Sequence, residues 1–185
     1  VLRRVEKMKS YKMKIAGLER ELELFSVDDK IDIAAFIMFG DVEITKKVAE
    51  ELLKICPEHD VVVTAEAKGI PLCYEMARQG CQNYVVARKG LKVYMRNPIE
   101  VEVNSITTLK TQKLYLGEND AEFLKGKRVL IVDDVVSTGE SLNALEKLVK
   151  LTGAEVVGKA AVLAEGDAKN RKDFVYLGEL PLFFK

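Results

Sequence analysis

Tryptophan is absent from this chain, histidine occurs once, cysteine three times and proline four times. A lone histidine cannot build a His-rich zinc centre, and His59 falls in the polar turn Pro57-Glu58-His59-Asp60, where it reads as a solvated loop residue. Cys56, Cys73 and Cys81 are odd in number, lack zinc-ligand spacing and lie in or beside apolar runs. They read as reduced structural thiols of a cytosolic protein, which disfavours Cys–His nucleophilic chemistry. Long hydrophobic runs are missing as well: nothing approaches the roughly 20 residues of a membrane span, and Val1-Leu2-Arg3-Arg4 leads into charges rather than into a signal peptide's apolar stretch. A cytoplasmic location with no membrane partner is expected. Net charge is also lacking, because 29 Lys plus Arg offset 29 Asp plus Glu. With no global basic field to collect nucleic acid, any anion site has to be a local cluster.

The chain does have enough apolar material for a core: 185 residues, 48% hydrophobic and 31% charged, fit a single domain over 1–185. Strands alternate with amphipathic helices. Ile44, Val48, Leu52 and Ile55 recur at helical spacing before Pro57; a β-branched strand follows over 61–65, then a helix over 70–79 stopped by Gly80, and a strand over 84–87. The run 129–132 has the unbroken hydrophobicity of a parallel-sheet strand. A helix over about 141–151 carries Leu142, Leu145 and Leu148 on one face and ends at Gly153, and another strand covers 156–163. This order predicts an α/β fold with a parallel sheet core flanked by helices. Two segments interrupt it. Residues 12–40, with the alternation Glu21-Leu22-Glu23-Leu24-Phe25, predict a small accessory layer. Residues 93–117 predict a long hairpin or mobile loop with a Ser/Thr/Lys/Gln-rich stretch over 104–113.

Chemistry concentrates in Val129-Leu130-Ile131-Val132-Asp133-Asp134-Val135-Val136-Ser137-Thr138-Gly139-Glu140-Ser141. Ligands of open α/β sheets bind at the carboxyl ends of strands, where Asp133 and Asp134 stand ready to accept hydrogen bonds from vicinal hydroxyls. Val136, Ser137, Thr138, Gly139, Glu140 and Ser141 then lead into a helix whose unpaired N–H groups, hydroxyls and dipole favour a phosphate. Gly139 lets the backbone approach it closely. Diol-binding carboxylates just ahead of a phosphate cup suit a ribose 5-phosphate. A plain Ser/Thr helix cap would leave the paired aspartates unexplained.

That stretch resembles the signature of the type I phosphoribosyltransferases, which use 5-phosphoribosyl-1-pyrophosphate. The resemblance implies their fold, with a small N-terminal hood over about 12–40 and a mobile hairpin or loop over about 93–117. It implies Asp133 and Asp134 on the ribose hydroxyls and residues 136–141 around the 5′-phosphate. Glu66-Ala67-Lys68-Gly69, after the 61–65 strand, is similar to the family's pyrophosphate loop, and Arg88-Lys89-Gly90-Leu91-Lys92 looks like the Arg-Lys-x-x-Lys element of adenine-type members. The implied catalytic set is Asp133, Asp134, Lys68 and Arg88, with Lys89 and Lys92 adding charge at the leaving group. Mg²⁺ is the implied cofactor, held through substrate oxygens and water with no direct protein ligand. A homodimer is implied too, and Tyr94, Met95 and Ile99 are its exposed interface candidates.

Phe36-Ile37-Met38-Phe39-Gly40-Asp41-Val42 resembles the Phe-Arg-Asp-Ile element of adenine phosphoribosyltransferases, which implies Ile37 and Phe39 at a purine base, adenine favoured. From the residues alone, Phe39 at the edge of an apolar run is equally a core side chain. Gly40 stands where those enzymes have arginine, and the stretch 105–112 has no Glu-Tyr-Gly-like segment, so the proton-transfer group is unassigned. Xanthine, hypoxanthine, guanine or a pyrimidine is an alternative acceptor. The other alternative is a non-catalytic regulator that binds the sugar pyrophosphate. Its nucleic-acid contact would have to be the basic segment of Arg3, Arg4, Lys7, Lys9, Lys12 and Lys14, which reads better as a solvated amphipathic helix. The 177–182 stretch looks like the final strand and turn of purine-type members, and no Walker A or dinucleotide fingerprint competes.

Overall fold

Strict alternation of charged and apolar residues gives a strand that is wet on one face and dry on the other, and the N-terminal segment obeys it. A computed structural model describes residues 9–103 and 112–185. β1 (Ser10–Ile15) and β2 (Leu18–Ser26) form an antiparallel hairpin turned at Ala16-Gly17, both in the left-handed region with φ of 49° and 87°. β3 (Ile31–Ala34) extends this sheet beside β2. Ile15, Leu22 and Ala34 face inward, while Lys12 and Lys14 sit on the exposed face opposite Glu21 and Glu19. The basic segment is therefore a strand where its described residues begin, not the amphipathic helix expected of it: Tyr11, Met13 and Ile15 impose a period of two. Arg3, Arg4 and Lys7 lie outside the described residues.

α1 (Val42–Ile55) starts at Asp41, whose carboxylate accepts the Ile44 N–H at 3.1 Å as an N-cap, and it buries Ile44, Val48, Ala49 and Leu52. β4 (Val61–Ala65), α2 (Ile70–Gln79) and β5 (Tyr84–Ala87) have the bounds predicted from their sequence signals. β6 (Ile99–Val103) and β7 (Gln112–Leu116) pair antiparallel, so the interruption over 93–117 is a hairpin in its arms, and the loop stretch 104–111 lies outside the described residues. The rest of the chain supplies α3 (Glu118–Leu124), β8 (Arg128–Val136), α4 (Glu140–Leu151), β9 (Glu155–Glu165), β10 (Val175–Leu180) and β11 (Phe183–Phe184).

The strands β10-β9-β8-β4-β5 form one sheet in that order with every neighbour parallel, as the strand–helix alternation predicts. Its centre is fully dry at Val61, Val62, Val63, Leu130, Ile131 and Val132, each burial worth roughly 1.5–3 kcal/mol. β8 runs beyond Val132 to Val136, because β9 keeps pairing with it through Asp133↔Ala161, Val135↔Leu163 and Val136↔Ala164. The adjacent aspartates thus stand on the last part of the strand rather than past it. β11 pairs antiparallel with β3, so the chain's last residues close a four-stranded sheet β1-β2-β3-β11. This sheet through Ile15, Leu22 and Ala34, and the segment after β3 through Phe36 and Met38, pack into the same core as α1, α2 and one face of β8. The opposite face of the parallel sheet is covered by α4 and by Val103, Leu114 and Leu116 of the β6–β7 hairpin.

Some expectations need correction. His59 is half-buried rather than solvated: its ring folds back over the turn, Nδ1 lies 2.8 Å from the Pro57 carbonyl, and Nε2 is out of water without a partner. Met95 and Ile99 are partly buried, Ile99 against the core, and of the three interface candidates only Tyr94 is exposed. All three cysteines are unbridged, and burial pushes the Cys73 thiol well up and that of Cys56 up to about 11, which keeps those two protonated. Among the described residues no helix is long and apolar enough to cross a membrane.

Candidate active site

β8, β4 and β5 are neighbours in the parallel sheet, so the loops at their carboxyl ends share one edge of it. Asp134 is 3% exposed, and its backbone N–H donates to Asp133 Oδ1 at 2.9 Å. Lys68, in the loop after β4, brings Nζ to 2.7 Å from Asp134 Oδ2, an ion pair whose direction still leaves that oxygen without a hydrogen-bond partner. Burial, and then the adjacent charge of Asp134, hold the Asp133 carboxyl well above the ordinary carboxylate range, with Lys68 opposing them. Asp133 Oδ1 takes one backbone donor and Asp134 Oδ2 takes none, so the pair has acceptor capacity left over. The two hydroxyls of a diol would fill it.

Gly69 presses the same loop against the aspartates. Its φ of −74° is ordinary, so the demand for glycine is spatial rather than conformational: a Cβ would overlap Thr64 Oγ1 and come 3.3 Å from Asp133 Oδ1. Across the loop, the Glu66 carboxylate accepts the Lys89 N–H at 2.7 Å and forms an ion pair with Arg88 Nε. Against a burial that would raise it, the Lys89 N–H, Arg88 and Lys92 hold the Glu66 carboxyl below its ordinary value. Arg88 is fixed at further points, since Nη1 donates to Tyr94 Oη at 2.6 Å and its backbone exchanges hydrogen bonds of 2.9 and 2.8 Å with Tyr115 of β7. Glu66 and Arg88 therefore offset each other, while Ala67, Lys68 and Lys89 are exposed. The structure thus brings together the residues singled out after β4, β5 and β8.

β8 ends at the buried Val136, and in the loop after it Ser137 and Thr138 are exposed and Gly139 turns the chain in the left-handed region at φ 81°. No side chain caps α4, and the Glu140 N–H makes only a 3.4 Å contact to Thr138 Oγ1. With Ser141 exposed as well, the first turn keeps unsatisfied donors, a positive dipole end and hydroxyls together, the requirements of an anion cup. Beside it lies a cavity of 420 Å³, between Ser137 and Thr138 on one side and Glu165, Gly166 and Arg171 on the other. Burial raises the Glu165 carboxyl above its ordinary value while Lys68 lowers it, so Lys68 acts on both the β8 and β9 ends.

Between β3 and α1, Phe36 and Met38 are 3% and 2% exposed, whereas Ile37 and Phe39 are 53% and 54% exposed. Phe39 is accordingly not a core residue. Gly40 has φ 82°, and the next residue, Asp41, is gripped from β2 by Arg20 at 2.7 and 3.1 Å, which also reaches Glu43 at 2.8 Å. Residues overlooked by the sequence reading are Thr64, Glu165 and Arg171. Glu165 was findable as an acid at a strand end, whereas Arg171 lies in a polar run with no local mark. Among the described residues no cluster of three or more His, Cys, Asp or Glu side chains is arranged to hold a metal ion.

A family model described as phosphoribosyl transferase domain matches residues 39–179, which include all three loops. The chain belongs to the phosphoribosyl transferase domain family. Its curated relatives include the hypoxanthine/guanine phosphoribosyltransferase of Methanococcus voltae, 42% identical over 112 residues, 60% of this chain and 56% of that protein. The adenine phosphoribosyltransferase of Rhodococcus jostii is 33% identical over 151 residues, 78% of each chain. This chain spans 56% to 66% of the length of several archaeal hypoxanthine/guanine relatives that it matches. Among solved structures, the adenine phosphoribosyltransferase of Saccharomyces cerevisiae, complexed with an imino-altritol bisphosphate and adenine, has a TM-score of 0.66 at 18% identity over 90% of this chain and 92% of that one. That of Trypanosoma brucei, in complex with AMP, pyrophosphate and ribose-5-phosphate, has a TM-score of 0.66 at 20% identity over 84% and 73%. These likenesses show the type I phosphoribosyltransferase fold.

Proposed function

We propose that this chain is a purine phosphoribosyltransferase, moving ribose 5-phosphate from 5-phosphoribosyl-1-pyrophosphate to a purine nitrogen and releasing pyrophosphate. The reading is carried by the meeting of the β4 and β8 ends, where Lys68 sits 2.7 Å from Asp134 and Gly69 packs against Asp133. A cation for the leaving group and acceptors for the ribose diol thereby adjoin one another, next to an uncapped helix start for the 5′-phosphate.

The purine nitrogen bonds to the anomeric carbon as the bond from that carbon to the pyrophosphate oxygen breaks, the electron pair leaving with pyrophosphate and the nitrogen's proton passing to water. Asp133 and Asp134 accept from the ribose hydroxyls and offset positive charge that develops on the ring. Lys68, Lys89 and Lys92 meet the leaving group's charge, with the Glu66–Arg88 pair ordering the loops that carry them. Asp133 and Asp134 are hard oxygen groups that would accept from the waters and hydroxyls around the family's Mg²⁺ without ligating it, Asp134 Oδ2 being ion-paired with Lys68. The ion would be held mainly by substrate oxygens and water, and would supply neutralisation of pyrophosphate.

Adenine is the favoured base, supported by the exposed Phe39 ahead of Asp41 and by fold neighbours that are adenine phosphoribosyltransferases. Hypoxanthine or guanine is the second reading, favoured by Gly40 and by the 42% identity to the Methanococcus voltae protein. The chain acts as a homodimer in the cytoplasm on this reading. Rates of pyrophosphate release with adenine, hypoxanthine, guanine, xanthine and uracil, each supplied separately with Mg²⁺ and the sugar pyrophosphate, test it. Turnover with one purine is expected; equal rates with and without any base would overturn it.

A further inference from the structure

Between β9 and β10 the chain makes a polar passage through the short 3₁₀ turn Gly166–Asn170, and from it Arg171 crosses to the loop after β8. Its Nη1 donates to the Thr138 carbonyl at 2.7 Å and its Nη2 reaches Asn143 Oδ1 of α4 at 3.4 Å. The far side of the guanidinium is gripped by Asp173, at 2.9 Å from Nε and 2.8 Å from Nη2. Asp173 is in turn held by Lys159 Nζ at 2.8 Å, and that ammonium also donates to Glu146 of α4 at 2.8 Å. The Lys159 side chain is only 11% exposed, so this network is built into the fold rather than laid on its surface. Beneath the guanidinium lies Gly139, where a Cβ would overlap Nη1 and the guanidinium carbon and stand 2.8 Å from Nη2.

We propose that Arg171 is a positioning residue for the phosphate cup, acting through the Thr138–Gly139 peptide. In a trans peptide the carbonyl and the N–H point in opposite directions. Holding the Thr138 carbonyl toward Arg171 therefore turns the Gly139 N–H away from it, toward the α4 start where the 5′-phosphate is expected. The guanidinium also satisfies a carbonyl whose negative end would otherwise be free to turn toward the phosphate, its own charge being offset by Asp173. Glycine at 139 is required twice, for its left-handed φ of 81° and for the close approach of the arginine.

The inference rests on the reading of this loop as the ribose 5-phosphate site, and the test separates the two. Calorimetric binding of ribose 5-phosphate to the full chain is compared with that of Arg171→Gln, Arg171→Lys and Asp173→Asn, alongside KM for the sugar pyrophosphate and for the purine. Arg171→Gln is expected to weaken ribose 5-phosphate binding and raise KM for the sugar pyrophosphate roughly ten- to a hundredfold, the usual loss for a hydrogen bond from a charged donor, with the KM for the purine unchanged. Arg171→Lys recovers part of the loss, since an ammonium still reaches the Thr138 carbonyl but lacks the fork that fits Asp173. Asp173→Asn shifts the same parameters in the same direction. Equal binding of ribose 5-phosphate by the unaltered chain and Arg171→Gln would overturn the inference, as would an equal rise in both KM values. Failure of the unaltered chain to bind ribose 5-phosphate overturns it too. Selective loss of binding in a chain that turns over no base would uphold Arg171 while removing the transferase reading. Should Arg171→Gln fail to fold, Arg171→Lys carries the same comparison.

Discussion

Alanine at Gly69 should destabilise this protein, although nothing in the backbone forbids it. With φ at −74° and ψ at −11° the residue is in a region open to every L-amino acid, and Gly→Ala in such a place normally stabilises by roughly 0.4–1 kcal/mol through the unfolded chain. The new methyl has nowhere to go, however, because it overlaps the Oγ1 of Thr64, itself fully buried in β4, with Asp133 Oδ1 3.3 Å away on the other side. Overpacking of this kind costs roughly 1–3 kcal/mol, and Ala is also a poorer residue than Gly at a helix start. The net loss is about 1–2 kcal/mol, a Tm lower by about 2–8 °C for a chain of this size. A pair of double variants isolates the cause. Thr64→Ala removes the obstructing atom and should restore most of the lost stability to Gly69→Ala, whereas Thr64→Val keeps an atom at that place and should not. Thermal melts without ligand read all of these. An unchanged or higher Tm for Gly69→Ala, or equal rescue by Thr64→Ala and Thr64→Val, would refute the packing argument.

Other consequences concern the aspartates and the N-terminal layer. Asp133→Asn should raise the ligand-free Tm at neutral pH while turnover falls. The native carboxyl is held above its ordinary value of 3.8, so it contributes stability below that pH that is lost as pH rises through its raised value. Melting curves from pH 4 upward should therefore slope less in the variant; an identical pH dependence would contradict the assignment. Asp41→Ala removes both the N-cap of α1 and the fork to Arg20, and should cost about 1–2 kcal/mol by denaturant unfolding, with a cost below measurement error counting against it.

Much of the fold was legible because its signals are local. The β-branched run 61–65, the helix between the loop glycine Gly69 and the stop Gly80, and the strand 84–87 carry both periodicity and punctuation, and their bounds match. The end of β8 was not legible, since Asp133 breaks the hydrophobic run although β9 continues to pair through it. β11 is two residues long and exists only because β3 offers an edge, a tertiary fact without a sequence mark. Within the site, the residues after β4, β5 and β8 were readable from their position at strand ends. Their mutual arrangement was not: the ion pair of Arg88 with Glu66, the spatial need for Gly69 beside Thr64 and the Arg171 clamp on the Thr138 carbonyl depend on groups that meet across 22, 5 and 33 positions of sequence. Arg20 reaching Asp41 across 21 positions belongs to the same class.

The most direct measurement follows nucleoside monophosphate formation from 5-phosphoribosyl-1-pyrophosphate and the accepted purine, for the unaltered chain and for the Asp133→Asn/Asp134→Asn double variant, with melts run in parallel. A ribose held by these two carboxylates predicts product in step with pyrophosphate from the unaltered chain, and a collapse of turnover in a double variant that remains folded. Undiminished product from a folded double variant would contradict it.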